Sequence, residues 1–274
     1  GRIIPPRELA PWIEYRHRLS AAVSGVFTLL MVGTAFMQYG PRNRTFHLVL
    51  VAAGLLVTQA ILGAYTVLSE LRPVIALIHT GVATGLVGIL ALITGGAVKP
   101  RWLNEGARHS RQLDSFRWLM VGLGLAAFVL IISGAYVTRT GGASLACTDV
   151  PLCGTSLGDM VEIQWIHMAH RIIGLLVGLL MLMTLVRSTA LHHTGIMAMT
   201  GLMTALLATQ MGLGIGNVLL GLPAAIRASH LAMAVLFFAI TMFLTGTLWR
   251  SALAGEGATA FTGKGRMVPS GGLR

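Results

Sequence analysis

Charged side chains are scarce in this chain: Asp, Glu, Lys and Arg supply 11% of its 274 residues, where a soluble domain carries about 25%. So few charges do not cover a water-facing surface. Cysteine is scarcer still, at two residues, which excludes a small disulfide-framework protein. Acidic residues number nine against twenty basic ones, for a net charge of +11. The basic residues are scattered between apolar runs rather than gathered into a patch, which argues against a nucleic-acid partner. What is abundant is apolar: 55% of the residues, with a mean hydropathy of +0.77. That composition excludes disorder and a coiled coil, and it leaves an integral membrane protein embedded in a lipid bilayer.

A bilayer core requires about 20 apolar residues per helix. Seven stretches qualify: Leu19 to Gln38, His47 to Ser69, Val74 to Val98, Trp118 to Thr138, Ile163 to Val186, Gly195 to Leu222 and Ala228 to Trp249. Gly40-Pro41, Arg72-Pro73 and Leu222-Pro223 punctuate them. The 34 glycines suit close helix packing in lipid. No alternating ten-residue segments of a β-barrel are visible, so the predicted fold is an all-α bundle of seven transmembrane helices. One face of the membrane collects twelve basic residues: Arg42, Arg44, Lys99, Arg101, Arg108, Arg111, Arg117, Arg187, Arg250, Lys264, Arg266 and Arg274. The other collects seven: Arg2, Arg7, Arg16, Arg18, Arg72, Arg139 and Arg227, with Arg171 inside a span. The richer face is predicted to be cytoplasmic.

The chain repeats itself. Glu14-Tyr-Arg-His17-Arg18 opens the first span, and His167-Met-Ala-His170-Arg171 lies early in the fifth. Gly63 stands sixteen residues before His79, and Gly214 sixteen before His230. These spacings predict two pseudo-symmetric half-bundles, residues 1–110 and 111–274. The second has four spans and the first three, so the pattern predicts a further helix and loop ahead of Glu14.

Histidine inside a span is costly and marks function. The topology places His17, His79, His170 and His230 near the outer surface, two on separate helices of each half. Such pairs suit bis-imidazole ligation of a haem iron within a helical bundle. Zinc fits less well, because it takes three or four ligands at one point. His47, His109, His192 and His193 read as surface residues at the cytoplasmic boundary, and His167 as a lining residue. Arg18 and Arg171 each follow a candidate ligand; a guanidinium there either holds a haem propionate or snorkels to the interface. Glu14, one helical turn from His17, has His167 as its counterpart, so the two sites differ chemically. Its carboxylate moves protons beside a haem edge, or is an interfacial partner of Arg16 or Arg18. Cys147 and Cys153 share the outer loop between the fourth and fifth spans, where a disulfide is permitted. They form a local staple capping the second site or a redox-active pair.

These residues, in this order, resemble the CtaA/Cox15 family of haem A synthases. The likeness is carried by Glu14-Tyr-Arg-His17-Arg18, by His79 in Ile-His-Thr-Gly, and by Gly134-Ala-Tyr-Val-Thr-Arg139-Thr-Gly-Gly leading to the cysteine loop. His167-Met-Ala-His170-Arg171 and His230 in Ala-Ser-His-Leu complete it. The resemblance implies eight helices in two four-helix halves and oxidation of the C8 methyl of haem O to a formyl group. The product is haem A for terminal oxidases. It also implies that His17 and His79 belong to the substrate haem site with Glu14 as its essential carboxylate. His170 and His230 would bind haem b as an electron-relaying cofactor, and Cys147 and Cys153 would form the second-half disulfide. A haem O synthase, an oxidase-assembly factor and an electron donor are the implied partners, and a bacterial plasma membrane the implied location. Thr148 and Val150 depart from the family's Pro and Trp in the cysteine loop, and its first helix and first-half cysteine pair have no match here. From the residues alone, a di-haem cytochrome b-type electron carrier is the alternative. A repeat-built transporter fits less well, since inverted repeats and broken helices are not evident.

Overall fold

The structure is a computed structural model and describes residues 9–70, 72–98, 111–154 and 156–250. Arg2, Arg7, Lys99, Arg101, Arg108, His109, Lys264, Arg266 and Arg274 lie outside the described residues. The seven predicted spans are seven helices: α1 Leu9–Tyr39, α2 Arg44–Leu68, α3 Pro73–Ala97, α4 Arg111–Arg139, α5 Glu162–Thr189, α6 Thr194–Leu219 and α7 Ala224–Leu248. No strand forms among the described residues. Each helix has at least 25 residues, hence about 37 Å of length, enough to cross the roughly 30 Å hydrocarbon core.

Local chemistry sets the ends. The Asn43 side chain accepts the Thr45 amide at 2.8 Å and caps α2. Pro73 opens α3, where its missing N–H costs nothing. Gly40 follows α1 in the left-handed region, φ 73°, which glycine adopts without strain. Two helices start well before their apolar stretches, at Leu9 rather than Leu19 and at Arg111 rather than Trp118. Hydropathy marks what sits in lipid, whereas helix continues wherever side chains support it. Arg18 pairs with Glu14 one turn away, and Arg117 with Asp114 at 2.6 Å. The sixth helix stops at Leu219 rather than Leu222, because Gly221 and Leu222 both take positive φ.

Consecutive helices pack antiparallel, and the two groups α1–α3 and α4–α7 meet chiefly through α3 against α7. That crossing is made by backbone. A Cβ on Gly95 would stand 1.9 Å from the Phe243 carbonyl oxygen, and one on Gly246 would stand 2.0 Å from that of Leu92. Gly95 and Gly246 are 151 residues apart, as are Leu92 and Phe243, so the contact is reciprocal about a local twofold axis. Around it, α4–α7 share a core of Leu123, Met181, Met203, Phe237, Phe238 and Leu244. The core of α1–α3 is smaller, with Phe46, Val49, Ala52 and Ile93 at its centre. Leu29 and Leu68, 74% and 80% exposed, face outward as lipid-contacting side chains do.

Candidate haem sites at one end of the bundle

His17 and His170 lie eight residues into α1 and α5, and His79 and His230 lie six residues into α3 and α7. The alternation of helix direction therefore brings all four to one end. His17 is close enough to His79 for charge on one to act on the other, and the same holds for His170 and His230. Among the described residues no three of His, Cys, Asp or Glu converge as a metal-holding group.

The second-half pair is the more tightly built. The His170 ring lies against Gly134 of α4, where a Cβ would approach its Cε1 to 2.9 Å. Ser133 Oγ lies 2.8 Å from His170 Nδ1, and its own hydroxyl proton points to the Leu130 carbonyl, also at 2.8 Å. His170 Nδ1–H must therefore be the donor. His230 lies against Gly214 of α6, with 3.1 Å to a Cβ there, and its Nδ1–H donates to the Gln210 carbonyl at 3.1 Å. Both rings thus carry their proton on Nδ1, and neither Nε2 takes a hydrogen bond from a described residue. A protein acceptor on one nitrogen with the other left open is the arrangement of metal-bound imidazole. The residues fit haem iron. With haem loaded, Ser133→Ala loosens the His170 ring, and haem affinity of the second pair is expected to fall about tenfold, measured by transfer to a haem-scavenging apo-globin.

The first-half pair is more open. His79 packs on Gly63, 3.2 Å from a Cβ there, and its Nε2 receives the Gln59 amide N–H at 3.0 Å. His17 is exposed, on a helix that packs chiefly against α2. Glu14 and Arg18 form an ion pair beside it, with side chains 55% and 68% exposed. Arg139, at the C-terminus of α4, also lies within electrostatic reach of His79.

The two His-Arg pairs diverge. Arg18 is engaged by Glu14, whereas Arg171 donates to the carbonyls of Asp149 at 2.7 Å, Pro151 at 2.9 Å and Leu152 at 3.2 Å. Those carbonyls belong to the loop closed by the Cys147–Cys153 disulfide, whose sulfurs are buried. His167, also buried, donates from Nδ1 to the Ala143 carbonyl at 3.1 Å, and Gln164 reaches Ala146 at 3.3 Å. The loop is clasped onto the start of α5 from three side chains. His47 and His192 sit at the opposite end of the bundle, in the first turn of α2 and in the α5–α6 turn; His193 stands at the N-cap position of α6.

Sequence reasoning passed over Ser133, Gln59 and Gln210, and took Gly134 as part of a motif rather than as a bed for His170. One signal was available: Thr58-Gln59-x-x-x-Gly63 recurs as Thr209-Gln210-x-x-x-Gly214.

Fold and site together define a multi-pass helical membrane protein that presents two histidine pairs at one end, with His79, His170 and His230 each bedded on a glycine. The chain matches the COX15-CtaA family, described as cytochrome oxidase assembly protein, over residues 7–242, and it belongs to that family. It is 29% identical over 184 residues to the heme A synthase of Bacillus licheniformis, covering 64% of this chain and 58% of that protein. It is 30% identical over 182 residues to the heme A synthase of Bacillus pumilus, with the same coverage. The heme A synthase of Bacillus mycoides is 26% identical over 180 residues, 65% and 57% of the two chains. The chain thus spans less than two thirds of the length of these curated relatives.

Proposed function

We propose that this protein is a haem A synthase, which oxidises the C8 methyl of haem O to a formyl group and so supplies haem A to terminal oxidases. The observation that carries the reading is the asymmetry of two otherwise matched sites. The pair His170–His230 is pre-oriented by Ser133 and Gln210 under a clasped loop, as a resident cofactor requires. The pair His17–His79 is exposed along α1 and has a carboxylate one turn away, as an exchanging substrate requires. Haem b, when bound at the second pair, supplies one-electron transfer.

The chain's own residues supply the rest. His17 and His79 would hold haem O, with Glu14 one turn of α1 from His17. Glu14 carries a carboxylate that takes or gives a proton there, and Arg18, paired with it, orients it. Arg139 adds a cation within reach of His79 that suits a propionate. His167 and Arg171 hold the disulfide loop as a lid over the second site. The reading extends to residues 1–110 as the substrate half and 111–274 as the cofactor half. It places the histidines at the outer face of a bacterial plasma membrane. A haem O synthase delivers the substrate, an oxidase-assembly factor receives the product, and a separate donor provides electrons.

The test is expression in a host that makes haem O, followed by extraction and chromatography of the bound haems. Haem A beside protohaem is expected. Glu14→Gln and His79→Ala are each expected to abolish haem A while protohaem stays at the second pair. Undiminished haem A in both variants sinks the site assignment. Protohaem alone in the unaltered protein favours the di-haem electron carrier.

A further inference from the structure

We propose that Gln59 is a positioning residue that competes for His79 and so makes the first-half site exchangeable, a part its counterpart Gln210 does not play. The inference deepens the substrate-site reading of the first pair and rests on it. Gln59, Gly63 and His79 recur 151 residues later as Gln210, Gly214 and His230, and each histidine lies on its glycine with Cε1 foremost. The glutamine stands one turn before that glycine on the same helix. In both halves the glutamine side-chain oxygen is buried and takes no hydrogen bond from a described residue. Two amide oxygens buried in this way at matched positions beside the candidate ligand histidines are costly in an apolar bundle, and that cost points to function.

The halves then part company over which histidine nitrogen is held. In the second half, Nδ1 is anchored on the Gln210 backbone carbonyl, and Nε2 is left for a metal. In the first half, the Gln59 amide N–H occupies Nε2 of His79, while Nδ1 is buried without a partner among the described residues. Nε2 has one lone pair, so an iron bound there displaces the Gln59 amide. Leaving iron finds the amide ready to close on Nε2 again. A hydrogen bond of this kind shifts such an equilibrium by up to about tenfold. The unanchored Nδ1 adds to the effect, since a ligand histidine without a second partner binds metal more weakly. A substrate that must enter and a product that must leave need a ligand of this sort; a resident cofactor needs the opposite.

The experiment uses the full-length protein in detergent with its second pair loaded with protohaem. Ferric protohaem is titrated into the first pair, and its release to excess apo-globin is followed in the Soret band. Gln59→Leu and the unbranched, near-isosteric Gln59→Met are expected to slow first-site release about tenfold, while the low-spin bis-imidazole spectrum is kept. Gln210→Leu is expected not to slow second-site release. First-site release that is unchanged or faster in both Gln59 variants overturns the proposal and leaves the substrate-site reading standing. A protein that takes up one haem rather than two overturns both.

Discussion

Purified His230→Ala protein is expected to carry no bis-imidazole haem in its second half, and His170→Ala to behave alike. Each imidazole sits in a fitted bed: Gly134 and Ser133 for His170, Gly214 and the Gln210 carbonyl for His230. No other described side chain on those helices offers a replacement nitrogen at that depth, because His167 is committed to the Ala143 carbonyl. Losing a ligand outright costs more than losing the partner that orients it, so haem affinity is expected to fall by well over about 100-fold. The pyridine haemochrome of the purified protein, normalised to protein, reads this directly. Gly134→Leu is expected to mimic it, since a side chain grown there runs into the His170 ring and pushes it off Ser133. Full second-half haem in either alanine variant dismisses these histidines as ligands.

The second large effect concerns the crossing of α3 and α7. Gly95→Leu or Gly246→Leu puts a side chain where a backbone carbonyl of the facing helix lies, at 1.9 and 2.0 Å from the first carbon alone. A side chain can rotate away from such a clash, but a helix backbone cannot, so the two helices must separate. The packing lost and strain gained are expected to cost about 3 kcal/mol or more. Because the reciprocal contact joins the two helix groups, haem retention at both histidine pairs should fail together on heating in detergent. Gly122→Leu is the control: nothing lies within 4 Å of a Cβ there, and its melting should match the unaltered protein. Equal melting of Gly95→Leu and Gly122→Leu removes the crossing as the seam of the structure.

Much of the architecture was written plainly in residue order. Long apolar runs broken by Gly-Pro and Arg-Pro pairs announce transmembrane helices, because lipid satisfies no backbone group and leaves helix as the economical way across. Four histidines at corresponding distances from helix starts mark one end of the bundle without any tertiary information. The cysteine spacing places both sulfurs in one short loop, where the structure bonds them. Less legible were the helix ends, because the Glu14–Arg18 and Asp114–Arg117 pairs prolong helix where hydropathy is silent. The matched His-Arg pairs suggested matched roles for Arg18 and Arg171. The structure separates them for a simple reason: the disulfide loop turns the carbonyls of Asp149, Pro151 and Leu152 toward α5, where they accept from Arg171, while on α1 Arg18 pairs with Glu14.

From the sequence by itself came the membrane class, the seven spans found among the described residues, the twofold pattern and the end of the bundle where the four histidines gather. All of these depend on composition and on spacing along one helix. Only the tertiary structure decided which nitrogen of each histidine is open, because that depends on which residue of the neighbouring helix faces the ring. Helix rotation and helix approach choose Ser133 for His170, a backbone carbonyl for His230 and the Gln59 amide for His79. No spacing along a single helix encodes that choice.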